Sequence, residues 1–133
     1  MGKFFSISEL SRSQVAASRG IDNTPVGETK ETLERLIDRL LDPVREKWGA
    51  PITVNSGYRS PALNVAVGGV ATSQHTKGEA ADITAGSPEK NRQLFDIVAA
   101  SDFDFDQLID EQNYTWLHIS YKSEGGRRQI LHL

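Results

Sequence analysis

Two histidines and an aspartate carry the strongest chemical signal in this chain. His75 and Asp82 fall in Ser73-Gln74-His75-Thr76-Lys77-Gly78-Glu79-Ala80-Ala81-Asp82, and His118 falls in Trp116-Leu117-His118-Ile119-Ser120. Two imidazoles and one carboxylate supply three protein ligands to Zn²⁺ and leave a fourth position for water, the pattern of a catalytic rather than a structural site. The chain has no cysteine, so a metal must rest on nitrogen and oxygen donors. Taken singly, each residue has a plainer use. Aspartate commonly closes turns, and one histidine beside an apolar run is most often packed or solvated.

Holding such a set together requires strands. Residues 80–84 and 116–121 read as strands, and a period of two puts Ala80, Asp82 and Thr84 on one face and Trp116, His118 and Ser120 on another. If the two strands are neighbours, Asp82 and His118 enter one cleft. His75 then arrives on the preceding loop, Gly78 allows the sharp bend between the ligands, and Ala80 and Ala81 leave room near a metal.

The remaining elements follow from caps and apolar spacing. Ser6-Ile7-Ser8-Glu9 reads as a capping box, starting a helix that runs to about Arg19 and stops at Gly20. Residues 21–28 are loop-like. Leu33, Leu36, Ile37, Leu40, Leu41, Val44 and Trp48 recur at helical spacing, with Pro43 expected to kink or break the helix. Residues 52–56 form a short β-branched strand. Ser60-Pro61 and Ser87-Pro88 each pair a cap with proline at the first helical position. Strands follow at 107–110, 116–121 and 128–131, the last two joined by a turn at Glu124-Gly125-Gly126. Helices first and mostly antiparallel strands later predict a single α+β domain over residues 1–133. Trp48, Phe103 and Phe105 read as core or strand-edge residues, and His132 as bystander surface.

Composition narrows the classes of function. With 133 residues, 38% hydrophobic and 25% charged, the chain is an ordinary globular domain. A net charge of −3 with one basic pair, Arg127-Arg128, argues against nucleic acid as a partner. No stretch is long enough to span a membrane, so no stable membrane association is expected. The start, Met1-Gly2-Lys3-Phe4-Phe5-Ser6, turns polar at once and does not read as a secretory signal. A monomer, made in the cytoplasm and reaching any outside substrate by another route, is the expectation.

Three segments carry a family resemblance. The Ser73–Asp82 stretch resembles the S-x-H-x-x-G-x-A-x-D signature of the zinc D-alanyl-D-alanine carboxypeptidase family, which includes phage endolysin L-alanyl-D-glutamate peptidases and vancomycin-resistance D,D-dipeptidases. Ser56-Gly57-Tyr58-Arg59-Ser60 is similar to its S-G-Y-R-S segment, and Trp116-Leu117-His118 to its W-x-H zinc segment. In order, the three span roughly residues 52–121. The resemblance implies an N-terminal helical layer packed on a small, mainly antiparallel sheet carrying a zinc cleft, with His75, Asp82 and His118 as ligands. It also implies hydrolysis of peptide bonds in peptidoglycan stems or crosslinks, at the cell wall or periplasm. The lack of a secretory signal would fit a phage or prophage lysis enzyme released through a membrane lesion, or a module of tail machinery. Without a second wall-binding domain, targeting is expected to rest on the catalytic domain.

One departure matters. In much of the family a carboxylate three residues before the last histidine serves as general base, and here that place is Thr115. Glu111 and Asp110, in Asp106-Gln107-Leu108-Ile109-Asp110-Glu111, are the nearest substitutes, and Glu111 is preferred for its reach at the strand exit. The resemblance also turns Arg59 towards the site, where its fork would hold a substrate carboxylate or a developing oxyanion. Ser73 either meets substrate or caps the turn. Two other readings stay open: a zinc dipeptidase for a small soluble substrate, and a non-catalytic peptidoglycan-binding module that lost its base.

Overall fold

Leu33, Leu36, Ile37, Leu40, Leu41 and Val44 recur at helical spacing, and all six are buried. They form the spine of a helical layer on one face of a sheet, in a computed structural model that describes residues 3–133; Met1 and Gly2, the start of the segment read above as no secretory signal, lie outside the described residues. The helices of this layer are α1 (Ile7–Ser11), α3 (Gly27–Leu36), α4 (Asp42–Trp48) and α6 (Pro88–Ala99), whereas α2 (Gln14–Arg19) and α5 (Pro61–Ala66) contribute no residue to the core cluster. No described helix is long and apolar enough to cross a membrane.

The strands are β1 (Thr53–Ser56), β2 (Ala80–Thr84), β3 (Gln107–Glu111), β4 (Trp116–Ser120) and β5 (Gln129–His132). They form one mixed sheet in the order β1-β2-β4-β3-β5. Every pairing is antiparallel except β3 with β5. The result is the α+β domain expected, with a mainly antiparallel sheet.

Strand alternation divides the sheet into two chemistries. Ala81, Ile83, Leu108, Leu117 and Ile119 point into the core against Leu94, Phe95 and Val98 of α6 and the α3–α4 spine. Burying each larger aliphatic side chain contributes about 1.5–3 kcal/mol. Asp82, His118, Ile109 and Glu111 belong to the opposite face, by the register Asp82↔His118↔Ile109 and Trp116↔Glu111. Helices cover one face, and the polar residues line the other.

Four local features differ from the expectations. The first helix is two: Ser6 caps α1 through Glu9 N, but Arg12 is extended (ψ 134°) and Ser13 opens α2 by accepting from Ala16 N. Tertiary bonds cause the break. Tyr58 N donates to Leu10 O at 2.6 Å and the Asn23 amide to Ser11 O at 2.8 Å, taking carbonyls that a continuous helix would use. Pro43 does not break the long helix. A π-helical turn, Ile37–Leu41, precedes it and carries the chain into α4, with Asp42 N donating to Ile37 O.

The Glu124-Gly125-Gly126 turn does not make a β4–β5 hairpin. β5 crosses to the far edge of β3 and runs parallel to it. Arg127 and Arg128 hold that crossing: Arg127 binds Asp106 through Nε and Nη2, and Arg128 donates to Phe103 O and Ser101 O. His132, read as a bystander, is paired: its Nδ1 meets Asp110 Oδ2 and its ring packs on Phe95 with centroids 5.3 Å apart.

Candidate metal centre and cleft

His75, Asp82 and His118 converge. Asp82 and His118 face each other across β2 and β4. His75 sits on a 3-10 turn, Gln74–Lys77, that leads into β2. Its Nε2 lies 3.3 Å from Asp82 Oδ1, and His118 Nδ1 lies 3.1 Å from the same oxygen. One donor atom from each of the three lies within 4.8 Å of the others. Tetrahedral zinc with bonds of about 2.0–2.2 Å has donors roughly 3.3–3.5 Å apart, so the spacing and the N₂O chemistry fit such an ion.

Local structure prepares each donor. Gly57 O is 2.7 Å from His75 Nδ1; a carbonyl can only accept, so Nδ1 carries a proton and Nε2 is the ring nitrogen turned towards Asp82, 3.3 Å from its Oδ1. Gly78 caps the turn with φ +75°, and a Cβ there would lie 2.8 Å from Thr29 O of α3. The expected bend is therefore present, reinforced by a close approach to the helical layer. His75 is 3% exposed. Burial pushes the Asp82 carboxyl up, but hydrogen bonds from His118 and His75 and their charge outweigh it and hold the group well below the usual carboxylate range.

Arg59 and Ser73 flank the group. Arg59 Nη2 donates to Ser73 Oγ at 3.2 Å, and Arg59 N donates to His75 O at 3.0 Å. Ser73 Oγ also accepts from His75 N at 3.2 Å, so this hydroxyl caps the turn and steadies the arginine at once. Arg59 Nε is buried without a partner among the described residues. The cleft extends to both sides of the donors. One lobe has Arg12, Tyr58, Arg59 and Asp82 in its wall; the other has Ser73, Gln107, Glu111, His118 and Lys122.

The two acids proposed in place of a base at Thr115 separate by strand parity. Glu111 pairs with Trp116 and shares the His118 face, whereas Asp110 pairs with Leu117 on the opposite face. Asp110 is engaged by His132 there. Glu111 Oε2 accepts from Trp116 Nε1 at 2.8 Å, which fixes the carboxylate beside the cleft. Thr115 lies exposed in the hairpin, its hydroxyl donating to Gln112 O at 2.6 Å.

Two residues that the sequence reading passed over organise the site. Asn23 donates to Tyr58 O and accepts from Ser60 N, at 3.0 and 2.7 Å, clamping the backbone on each side of Arg59. Asp106 has no exposed surface, accepts from Gln74 Nε2 at 2.7 Å and from Arg127 Nη2 at 2.8 Å. Arg127 first, and Gln74 after it, hold its carboxyl far below the usual range against the upward pull of burial. It thus ties the residue next to His75 to the start of β3. In sequence, Asp22-Asn23-Thr24-Pro25 reads only as a turn, and Asp106 only as an acid near a strand; neither carries a signal of its long-range partner.

A sequence model of the family described as Peptidase M15 matches residues 3–120. The chain is also similar to the zinc D-Ala-D-Ala carboxypeptidase of Streptomyces albus G, 57% identical over 48 residues that make up 35% of this chain and 19% of that protein. The chain therefore spans well under two thirds of that relative's length. With the family match covering most of the sequence, from the helical layer to the last strand bearing a candidate ligand, the chain belongs to the peptidase M15 family.

Proposed function

We propose that the protein is a zinc-dependent peptidase that hydrolyses peptide bonds in peptidoglycan stems or crosslinks, with D-alanyl-D-alanine carboxypeptidase activity as its nearest reading. The observation that carries it is the convergence of His75 Nε2, His118 Nδ1 and Asp82 Oδ1 on a sheet face that also presents Glu111. The carboxypeptidase relative supports both the zinc and the substrate class.

Each residue has a role that its chemistry allows. His75, Asp82 and His118 would hold zinc, which when bound lowers the pKa of a water towards neutrality and polarises the scissile carbonyl. Glu111 takes the proton of the attacking water and returns it to the leaving amine, a transfer worth roughly 10²–10⁴-fold in rate. Its place in the register suits proton transfer. It lies diagonal to His118 across β4 and β3, and diagonal same-face neighbours stand about 7–8 Å apart, leaving room for a water and a carbonyl between. The Trp116 indole steadies one carboxylate oxygen and leaves the other to move the proton. Arg59 binds the substrate carboxylate beside the leaving nitrogen, using a guanidinium that Ser73 steadies and whose buried Nε has a hydrogen bond still to make. Asn23 clamps the backbone on each side of it. Glu111 on the cleft face also speaks against a binding module without a base.

Incubating the zinc-loaded protein with purified peptidoglycan, followed by mass spectrometry of the soluble fraction, tests the proposal. Release of free D-Ala identifies a carboxypeptidase, and new amino termini within stems or crosslinks identify an endopeptidase. Retention on peptidoglycan with no product overturns the enzymatic reading.

A further inference from the structure

Arg59 has a companion. Arg12 lines the same lobe of the cleft, beside Tyr58, Arg59 and Asp82. It arrives there because the chain breaks between α1 and α2, with Arg12 itself in an extended conformation. The break is built rather than frayed. Tyr58 N donates to Leu10 O at 2.6 Å, and Gly57 permits that approach, since a Cβ on it would sit 2.1 Å from the same oxygen. The Asn23 amide donates to Ser11 O at 2.8 Å and Tyr58 O at 3.0 Å, while its Oδ1 accepts from Ser60 N at 2.7 Å. Every one of the Asn23 bonds lands on a neighbour of Arg12 or Arg59. One side chain, 9% exposed, thus fixes the spacing of the two arginine-bearing segments.

Neither guanidinium has an acid to neutralise it. Among the described residues Arg12 has no hydrogen-bond or ion-pair partner, and Arg59 meets only the Ser73 hydroxyl. Asp82 is the single acid in the lobe wall, and both histidines engage it. Two unpaired arginines concentrated in one concave lobe, on a chain of net charge −3, make a local positive potential that draws anions. Guanidinium forks match carboxylates in particular.

We propose that Arg12 is a specificity-determining residue that holds a second carboxylate on the peptide half anchored by Arg59, so that the cleft favours acidic peptides whose leaving half carries two carboxylates. The inference rests on the role given to Arg59 above. The carboxylate beside the leaving nitrogen goes to Arg59, and one further along the same half goes to Arg12. A substrate ending in a single neutral residue after the scissile bond, such as the terminal D-Ala of the carboxypeptidase reading, fills only the first position. Among the bonds proposed above, the inference therefore favours those inside stems or crosslinks.

The test uses one peptide in two forms, with the second carboxylate free or amidated, on zinc-loaded wild-type protein and Arg12→Gln. Arg12 is exposed and its replacement leaves the fold intact, which circular dichroism verifies. Wild type should favour the free acid about tenfold in kcat/KM, the scale of one charge-assisted pair. Arg12→Gln should lose that preference, falling about tenfold on the free acid and under twofold on the amide. Equal losses on both forms, or no wild-type preference, overturn the proposal. Calorimetric titration with the leaving half alone, free and amidated, gives a readout independent of turnover. If no peptide is cleaved but the same selectivity appears in binding and vanishes in Arg12→Gln, the carboxylate site stands and the peptidase reading falls. If neither binding nor cleavage distinguishes the two forms, the site itself is refuted.

Discussion

Glu111 and Asp106 are both acids at the ends of β3, and their surroundings give them opposite work. Glu111 faces the cleft and keeps one oxygen free of protein donors other than the Trp116 indole on its partner oxygen. Glu111→Gln preserves shape and removes the proton acceptor, so turnover should fall by roughly 10²–10⁴-fold while zinc stays bound. Metal content measured alongside kcat checks this, and near-normal kcat in a zinc-loaded variant rules Glu111 out as base. Asp106 instead is fully enclosed, with Arg127 and Gln74 as donors. Its folded pKa is depressed, chiefly by Arg127, below an unfolded value of about 3.9. The ionised group therefore stabilises the fold above pH about 4, and that contribution is lost as pH falls further, because the unfolded chain takes up the proton first. Asp106→Asn turns an amide donor towards Gln74 or Arg127 and should cost roughly 2–3 kcal/mol at neutral pH. Urea unfolding of both proteins at pH 7 and pH 2.5 should show the gap shrinking at the lower pH; a constant gap would assign the loss to packing alone.

At the level of elements, close backbone approach does much of the positioning. The Gly57 carbonyl orients His75, and its missing side chain admits Leu10 O. Gly57→Ala would push α1 off the Gly57–Arg59 segment, with an expected cost of about 1–3 kcal/mol from overpacking and a weaker zinc affinity through a displaced His75. Unfolding curves together with competitive zinc titration measure the two effects, and a destabilised variant with unchanged affinity would separate α1 docking from ligand orientation. This dependence also explains what could be read from the chain itself. The pairing of Asp82 with His118 follows from period-two alternation, since only facing strands bring both into one cleft. Ser60-Pro61 and Ser87-Pro88 mark helix starts because a cap and a fixed φ act locally; the observed helices begin at Pro61 and Pro88. The α1–α2 break, the π-helical turn before Pro43 and the parallel β5 were not legible, because each is decided by a partner distant in sequence. Ser6 can cap its own helix, but nothing in Leu10 or Ser11 announces that Tyr58 and Asn23 will claim their carbonyls. For the same reason Glu111 over Asp110 is a choice of reach in the sequence and becomes a matter of strand parity in the sheet.

Across the whole molecule, the core and the candidate metal site occupy opposite faces of one sheet, and this separation makes a thermodynamic prediction. The helical layer buries Leu10, Leu33, Leu36, Leu40, Leu94 and Val98 completely without any of the three donor residues taking part in that cluster. Folding should then survive metal removal, unlike small domains whose only core is the ion. The donors, however, come from a 3-10 turn and two sheet strands, so an ion held by them joins the Gln74–Lys77 turn to the centre of the sheet. Zinc at about 100 times its Kd should stabilise the folded state by roughly 2.7 kcal/mol, which for a domain of this size raises Tm by on the order of 10 °C. The gain in hydrogen-exchange protection should concentrate at residues 73–82 and 116–120 and leave α3 and α6 unchanged, since their openings are governed by the apolar layer. His118→Ala should retain the apo Tm and lose the zinc response, because two remaining donors hold the ion far less tightly. An apo protein that is unfolded at 25 °C would show that the ion is needed for the fold itself, and a zinc response that persists in His118→Ala would move the site away from these three side chains.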